Sequence, residues 1–165
     1  MTPTQQQFFD RLLRLGKGER SALRRAAGKM LRDADGGAIA AFYKCLPPAV
    51  EAKQENRWFA VACISCLWDE ESKGEKPLEQ IIAGLIRADE LSDSITHRVE
   101  ILMNTKWDTD GYMLTKLVRL VKLVRQKSDR AVPDFAALLD DLIYWNAESQ
   151  SVQRKWARAV FSKIN

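Results

Sequence analysis

The segment SVQRKWARAVF, residues 151–161, combines cationic and aromatic residues at a spacing that suits phosphate binding. Its cations, Arg154, Lys155 and Arg158, surround Trp156 with no acidic residue among them. At about 100° per residue, the three cations share one side of a helix, and Trp156 lies on the other side. We therefore expect Trp156 in the core and the cations at the surface. On a single helix, such a face is more typical of an ordinary solvated surface.

The same arrangement recurs twice earlier in the chain, and we call the three sets cationic stripes. The first stripe lies in a predicted helix over residues 19–32 and the second in a predicted helix over residues 110–127, each opposite apolar residues. Their members are Arg20, Arg24, Arg25, Lys29 and Arg32 in the first, and Lys116, Arg119 and Lys122 in the second. Because a soluble surface normally mixes charge signs, three stripes indicate a surface for a polyanion.

Phosphate backbones are the polyanions that such stripes suit. Their charges recur at short spacing, and binding by Lys or Arg releases condensed counterions. Arg adds a planar fork that holds a phosphate through two bonds, and such contacts position a strand without reading its sequence. Residues that could stack on bases all occur at helical spacings that favour a core position instead: Tyr43, Trp58, Trp68, Tyr112 and Trp145.

Residues typical of catalysis or metal binding occur in unsuitable contexts. Cys63 and Cys66 form a CxxC motif, but the motif lies within an apolar helical pattern and has no second CxxC to complete a zinc site. His97 is the only histidine, and we expect it to be exposed or capping. Asp140-Asp141 and Asp69-Glu70-Glu71 are better explained as solvated surface than as divalent-ion ligands. The sequence therefore predicts no catalytic residue, metal site or cofactor.

Composition and charge narrow the class of protein. Apolar residues make up 46% of the 165 residues, while 8 Gly and 5 Pro argue against a loop-rich or all-β chain. Three cysteines suit free thiols in a reducing cytoplasm, and neither a membrane-spanning run nor a secretory signal pattern occurs.

The charged residues are unevenly distributed along the chain. Residues 1–50 carry nine basic and four acidic groups, residues 51–100 carry six basic and eleven acidic groups, and residues 101–165 carry eleven basic and seven acidic groups. This pattern suggests one face for a polyanion and another for protein.

The elements that must position these residues are predicted to be helices throughout. Apolar periodicity, Gly and Pro breaks and N-cap residues define about nine helices, which form two packed helical bundles. They cover approximately residues 4–15, 19–32, 38–46, 55–69, 77–88, 95–104, 110–127, 133–146 and 149–164. The helix over 55–69 is apolar nearly all round and is expected to be central. A polar stretch at 88–94 suggests domains 1–90 and 91–165, or a single compact unit.

Four segments in order give the chain a specific resemblance. GERSALRR (18–25), AFYKCLP (41–47), LIYWN (142–146) and SVQRKWARAVF (151–161) together resemble the CasB small-subunit family of the type I-E CRISPR surveillance complex, Cascade. The resemblance spans essentially the whole chain. It implies a protein of two helical bundles without enzymatic activity, bound to the large subunit, the crRNA-binding backbone, crRNA and a second copy of itself. It also implies contacts with single- and double-stranded DNA, and no membrane.

The resemblance carries a role to particular residues. Arg24 and Arg25 match a basic pair of the family, and residues 154–158 match its C-terminal basic helix. The stripe at Lys116 matches more loosely, and Arg57 is a weaker candidate. These residues are expected to hold the displaced non-target strand of the R-loop and to support the guide–target duplex, whose formation is a nearly balanced strand exchange.

Two alternatives remain open at this stage. A purely architectural helical protein would use the stripes to bind protein partners, and the isolated chain would then show no salt-sensitive binding to single strands. A thiol-dependent enzyme acting through Cys63 and Cys66 would require fast labelling of these thiols in the native state.

Overall fold

The computed structural model describes residues 1–69, 74–88, 92–128 and 130–162, and the all-α prediction is confirmed over these ranges. The helices are α1 (Pro3–Leu13), α2 (Lys17–Arg25), α3 (Gly36–Cys45), α4 (Glu55–Ser65), α5 (Leu78–Ala88), α6 (Ser92–Met103), α7 (Tyr112–Lys127), α8 (Phe135–Ile143) and α9 (Ser151–Phe161). Two short 3-10 helices, Leu31–Asp33 and Ala52–Gln54, occur between them. Contacts divide the chain into two compact units, Met1–Ser72 and Lys73–Asn165.

The first unit is organised around α4, as its apolar sequence predicts. Every residue from Trp58 to Ser65 is buried. Helix α2 packs against α3 and α4, and α1 packs against α3. Aromatic rings fill the centre: the Phe8 ring lies edge-on to Trp58, with centroids 4.9 Å apart, and Phe42 lies edge-on to Phe59 at 5.2 Å. Such edge-to-face pairs stabilise a core beyond the area they bury.

The second unit is organised around α5, which packs against α6, α7 and α9, while α6 also packs against α7. The apolar face predicted for α7 is confirmed, because Leu114, Leu117, Val121 and Val124 are all buried. Trp156 of α9 is fully buried, also as predicted, and its ring meets the Trp145 ring edge-on at 5.6 Å. These contacts fix which sides of α7 and α9 face solvent.

The LIYWN segment orders the chain that follows α6. Trp145 Nε1 donates to the Thr105 carbonyl oxygen at 2.8 Å. Asn146 and Trp107 are joined by two bonds: Asn146 Nδ2 donates to the Trp107 carbonyl at 2.8 Å, and the Trp107 amide donates to Asn146 Oδ1 at 2.9 Å. The polar atoms of this motif therefore satisfy backbone groups of a loop that would otherwise lose hydrogen bonds on burial.

A predicted helix over residues 19–32 is wrong in its second half. Helix α2 ends at Arg25, and Gly28 has a φ of 96°, a conformation that glycine adopts without strain. The Leu31 amide then donates to Asn56 Oδ1 at 2.9 Å, which holds the chain in a separate short turn. Lys29 and Arg32 consequently do not continue the helical face of Arg25.

The division between the two units falls earlier than the domain boundary predicted between residues 90 and 91. Helix α5 belongs to the second unit because its packing partners are α6, α7 and α9. Residues 89–91 themselves lie outside the described residues, as do Glu70 and Glu71 of the acidic stretch and residues 163–165 at the end of the last predicted helix.

Candidate nucleic-acid interface

Arg20 and Arg24, two members of the first cationic stripe, are engaged in the fold. The Arg20 side chain is buried, and its guanidinium donates to the Leu12 carbonyl at 3.2 Å and the Trp68 carbonyl at 3.4 Å. Arg24 is exposed, yet its Nε donates to the Cys66 carbonyl at 2.9 Å. Arg20 therefore joins segments of the first unit and offers little surface to a ligand. Arg24 also joins segments of that unit, but its exposed side chain can contact a ligand as well.

The remaining cations of this stripe lie at the surface without forming one helical row. Arg25 is exposed in the last turn of α2. Lys29 follows the helix, and Arg32 lies in the short turn beyond, where its Nε is 3.7 Å from Asp33 Oδ2. Both are exposed on either side of the buried Met30. The stripe is thus an exposed group of cations rather than a single helical face.

Arg57 lies in the first turn of α4 and is only partly exposed. Its Nη1 donates to Gln54 Oε1 at 3.4 Å. Burial lowers the pKa of its guanidinium below the usual value, as expected for a cation that loses hydration. Arg57, like Lys116, is therefore only partly accessible to a ligand.

The second stripe is arranged as predicted. Arg119 and Lys122 are exposed on α7, and Lys116 is partly exposed. The Lys116 ammonium lies 4.3 Å from the centre of the Tyr112 ring, one helical turn earlier. These cations lie opposite the buried face of α7, so they are directed to solvent by the packing of that helix.

The third stripe contains one cation with a structural partner. Arg154 and Arg158 are exposed on α9. Lys155 instead forms an ion pair with Asp141 of α8, and its ammonium is also 3.5 Å from Glu79 Oε1 of α5. Lys155 keeps about half of its side chain exposed, at 48%. Lys155 therefore connects α9 to α5 and α8, while the rest of its side chain remains exposed to solvent.

The two carboxylates beneath Lys155 were missed by the sequence analysis. Only 4% of Asp141 and 3% of Glu79 are exposed, so the solvated-surface interpretation is wrong for Asp141. Burial raises the pKa of both carboxyls above their usual range. For Lys155, partial burial acts to lower the pKa, but the hydrogen bond and charge of Asp141 raise it overall. The helical periodicity could have predicted the burial of Asp141, because position 141 follows the buried Leu138 by three residues and lies on the same face of α8.

A groove of about 600 Å³ lies between α5 and α9 in the second unit. Small residues, Ala83, Gly84 and Ala159, contribute to its lining. The basic side chains among its described lining residues are Lys76, Arg87, Lys155 and Arg158. Lys76 and Arg87 were not predicted, because they occur in the net-acidic middle of the sequence and form a set only after α5 packs on α9.

The aromatic candidates for stacking divide into two groups. Trp58, Trp68 and Trp145 are buried, so the core interpretation is confirmed for them. It is wrong for Tyr43 and Tyr112, which are 48% and 60% exposed. The Tyr43 hydroxyl donates to Glu55 Oε2 at 2.7 Å, which raises the pKa of Tyr43. Tyr112 is thus a large exposed ring beside a cation.

Comparison with known proteins assigns this all-helical chain to a family. The family model of the CRISPR-associated protein Cse2 matches residues 19–161, which include most of α2, all of α3 to α9 and all three stripes. The chain belongs to the Cse2 family. The resemblance to the CasB small subunit is therefore confirmed, since a solved structure of CasB from Thermus thermophilus is among the similar chains.

Solved structures show the same fold as this Cse2 protein. A Cse2-family protein from Thermus thermophilus is 26% identical, with a TM-score of 0.73 over 98% of this chain and 99% of that chain. CasB from M. ruber is 22% identical, with a TM-score of 0.70 over 93% and 90% of the two chains. A chain of a CRISPR RNA-guided surveillance complex is 21% identical, with a TM-score of 0.71 over 95% and 88%. A search of curated protein sequences finds no significant match.

The thiols of this Cse2 protein lie inside the first unit. Cys45, Cys63 and Cys66 are free and buried. Burial raises the pKa of the Cys45 thiol to about 11 and also raises the pKa of Cys63 and Cys66. Because the thiolate is the reactive form, these thiols are poorly suited to nucleophilic or redox chemistry.

The described ranges of this Cse2 chain contain neither a cluster of metal ligands nor a membrane-spanning helix. No group of three or more His, Cys, Asp or Glu residues with metal-site geometry occurs there. None of the helices in those ranges has the length and apolar character needed to cross a bilayer.

Proposed function

We propose that this Cse2 protein is a non-catalytic subunit of a type I-E CRISPR RNA-guided surveillance complex. In that role it binds nucleic-acid backbones without sequence specificity and stabilises the R-loop, through the displaced non-target strand and the guide–target duplex. The large subunit, the crRNA-binding backbone, crRNA and a second copy of the chain are its partners. Support comes from family membership and from structural similarity to chains of CRISPR RNA-guided surveillance complexes.

The observation that carries the proposal is the exposure of cations in every predicted stripe. Arg25, Lys29 and Arg32 are exposed in the first unit, and Arg119, Lys122, Arg154 and Arg158 are exposed in the second. Apart from the contact of Arg32 with Asp33, the side-chain ion pairs described for the stripe cations involve only Lys155. Such cations can displace the counterions condensed on a phosphate backbone without breaking contacts that hold the fold together.

Backbone contacts are sufficient for the proposed role. Replacement of a DNA duplex by an RNA–DNA duplex is nearly balanced in free energy, so sequence-independent contacts can tip it toward the open state. Phosphate contacts carry no sequence information and therefore suit a subunit that must act on any target. The non-catalytic part of the proposal is supported by the burial and raised pKa of the three thiols.

Charge reversal of one exposed cation from each stripe tests the proposal. In Arg25→Glu/Arg119→Glu/Arg158→Glu, we expect weaker binding to single-stranded DNA and a salt dependence whose slope falls by about 0.7 for each lost phosphate contact. The matched control is Arg14→Glu/Lys53→Glu/Lys106→Glu, which reverses three exposed cations outside the stripes and changes net charge equally. Anisotropy titrations across a salt series measure both quantities, and circular dichroism checks folding.

In the architectural alternative the stripes bind protein partners, and the intramolecular contacts of Arg20 and Lys155 show only that two stripe cations already have a role in the fold. If the stripe variant and the control lose affinity equally, net charge rather than the stripes determines binding. If the wild-type chain shows no salt-sensitive binding, the backbone-binding proposal fails and the architectural role remains.

A further inference from the structure

A second concave site lies between α6 and α7 in the second unit. Its volume is about 320 Å³, and its described lining residues come from both helices. They are Ser94, His97, Arg98, Ile101, Lys116 and Arg119. Two of these, Lys116 and Arg119, belong to the second stripe, whereas His97 and Arg98 were not predicted as a binding pair. Packing of α6 against α7 brings the two pairs around one cavity.

The polar groups of this pocket are donors matched to a phosphate. Arg98 and Arg119 present guanidinium forks, Lys116 an ammonium, and Ser94 and His97 a hydroxyl and an imidazole that can each donate a hydrogen bond. None of the described side chains that line the pocket is a carboxylate. The groove between α5 and α9 differs, because Glu79 is part of its lining and its Lys155 is already paired with Asp141. The α6–α7 pocket therefore offers the less compensated positive charge.

Apolar groups accompany these donors. Ile101 in the lining is 36% exposed, and Tyr112, whose ring contacts the Lys116 ammonium, is 60% exposed. A phosphate alone would need neither of them. An exposed aromatic ring beside phosphate donors is the arrangement that lets a nucleobase stack while its phosphate is held. A base can stack in this way only if it is not already stacked within a duplex.

We propose that the α6–α7 pocket binds one phosphate of a single-stranded polynucleotide and that Tyr112 stacks with an adjacent base. The proposal rests on the function proposed above and adds a preference for unpaired strands at this one site. The other exposed cations contact backbone charge alone, so they accept single strands and duplexes. DNA and RNA single strands share the required chemistry, and binding of both is compared in the test.

Substitutions at Tyr112 test the inference with the full-length protein. Labelled single-stranded DNA, single-stranded RNA of the same sequence and duplex DNA are titrated by fluorescence anisotropy at fixed salt. Tyr112→Ala is expected to weaken single-strand binding at least about fivefold, the lower range for loss of one stacking contact. Duplex binding should change less than twofold, and Tyr112→Phe, which keeps the ring, should bind as the wild type does.

Two further variants separate stacking from charge and from general surface effects. Tyr144→Ala removes a tyrosine that is also 60% exposed but lies at the C-terminal end of α8 rather than on α7, and it should leave the binding of all three ligands unaffected. Arg98→Gln should reduce the salt slope for single strands by about 0.7, which reports a lost phosphate contact.

The outcomes distinguish this inference from the proposed function. An unchanged single-strand to duplex ratio in Tyr112→Ala, with binding still lost in the triple stripe variant, overturns the pocket proposal and leaves backbone binding in place. Equal losses for single strand and duplex in Tyr112→Ala also overturn it, because the ring would then act only through Lys116. A wild-type protein that binds neither ligand at low salt overturns the backbone-binding function and this inference with it.

Discussion

Trp156 Nε1 donates a hydrogen bond to Asp141 Oδ2 at 2.9 Å, and the other carboxylate oxygen of Asp141 contacts the Lys155 ammonium. One buried carboxylate thus holds both the anchoring tryptophan and a cation of the third stripe. Since Arg154 and Arg158 belong to the same helix, the orientation of their exposed side chains depends on a carboxylate that is buried inside the second unit. Charge burial in this unit therefore serves to position a surface.

Replacement of Asp141 should destabilise the protein. Asp141→Ala leaves the indole N–H of Trp156 buried without its acceptor and removes the partner of Lys155, so we expect a loss of about 2–3 kcal/mol in the free energy of unfolding. Glu148→Gln is the matched control, because it removes a negative charge at an exposed position of the same unit and should change stability by less than about 0.5 kcal/mol. Urea denaturation measures both. Equal stability of the two variants would contradict the structural role of Asp141.

Glu79 gives the stability a defined pH dependence. Its pKa is raised by burial, so the folded protein binds a proton there more tightly than the unfolded chain does. Its contribution to stability is therefore present below the unfolded pKa, about 4.3, and is lost as the pH rises through the higher folded value. In Glu79→Gln this change is absent.

Urea denaturation of the wild type and of Glu79→Gln at several pH values tests that sign. We expect the stability of Glu79→Gln relative to the wild type to increase as the pH rises from about 4.5 to 7.5. A difference between the two proteins that stays constant with pH, or that changes in the opposite direction, would show that Glu79 does not titrate as a buried carboxyl.

Replacement by alanine should have opposite effects on stability at two glycines of the second unit. A Cβ at Gly74 would lie 1.9 Å from the Pro133 carbonyl oxygen, next to the point where the Asp134 amide donates to the Lys76 carbonyl at 2.8 Å. Gly74→Ala is therefore expected to cost about 1–3 kcal/mol through overpacking. A Cβ at Gly84 within α5 meets no atom within 4 Å, so Gly84→Ala should stabilise the helix by about 0.5–1 kcal/mol. Thermal unfolding of the pair checks the contrast.

The sequence predicted most of the helices and their buried sides, but it did not predict which residues the cations contact. The apolar spacing correctly predicted burial around α4, the buried face of α7 and the buried Trp156 of α9, because the spacing of apolar residues determines which sides of a helix can be buried. The helix predicted to continue past Arg25 failed because Ala26 and Ala27 favour helix, whereas the turn at Gly28 and the bond from Leu31 to Asn56 depend on tertiary contacts. Local propensity is a weak prior at such positions.

The candidate site could be predicted only as a set of cations on single helices. Spacing along α9 could not show that Lys155 meets Asp141 and Glu79, since these residues are 14 and 76 positions away and on other helices. For the same reason His97 and Arg98 could not be joined to Lys116 and Arg119 before the packing of α6 on α7 was known. Charge pairing and pocket formation are long-range properties, and the sequence contains no local signal for them.

Thiol labelling in the native state tests whether the CxxC motif is structural. Cys45, Cys63 and Cys66 are buried, and burial raises the pKa of each. We expect a maleimide or disulfide reagent to label none of the three rapidly at neutral pH, and to label all of them after denaturation. Mass spectrometry of a time course identifies each site. Fast labelling of Cys63 or Cys66 in the folded protein would revive the thiol-enzyme hypothesis.

Arg20 and Arg25 should separate stability from binding, although both belong to the first stripe. Arg20 donates to two backbone carbonyls inside the first unit, so Arg20→Ala is expected to lower the free energy of unfolding by about 2–3 kcal/mol. While it remains folded, its affinity for single-stranded DNA should stay close to that of the wild type. Arg25 is exposed in the last turn of α2, so Arg25→Ala should leave stability within about 0.5 kcal/mol and weaken DNA binding.

Urea denaturation and anisotropy on the same preparations measure the stability and the DNA affinity of both variants. If Arg20→Ala weakened binding as much as Arg25→Ala at a temperature where both are folded, the buried guanidinium would have to reach the ligand, and its assignment to the fold would be wrong.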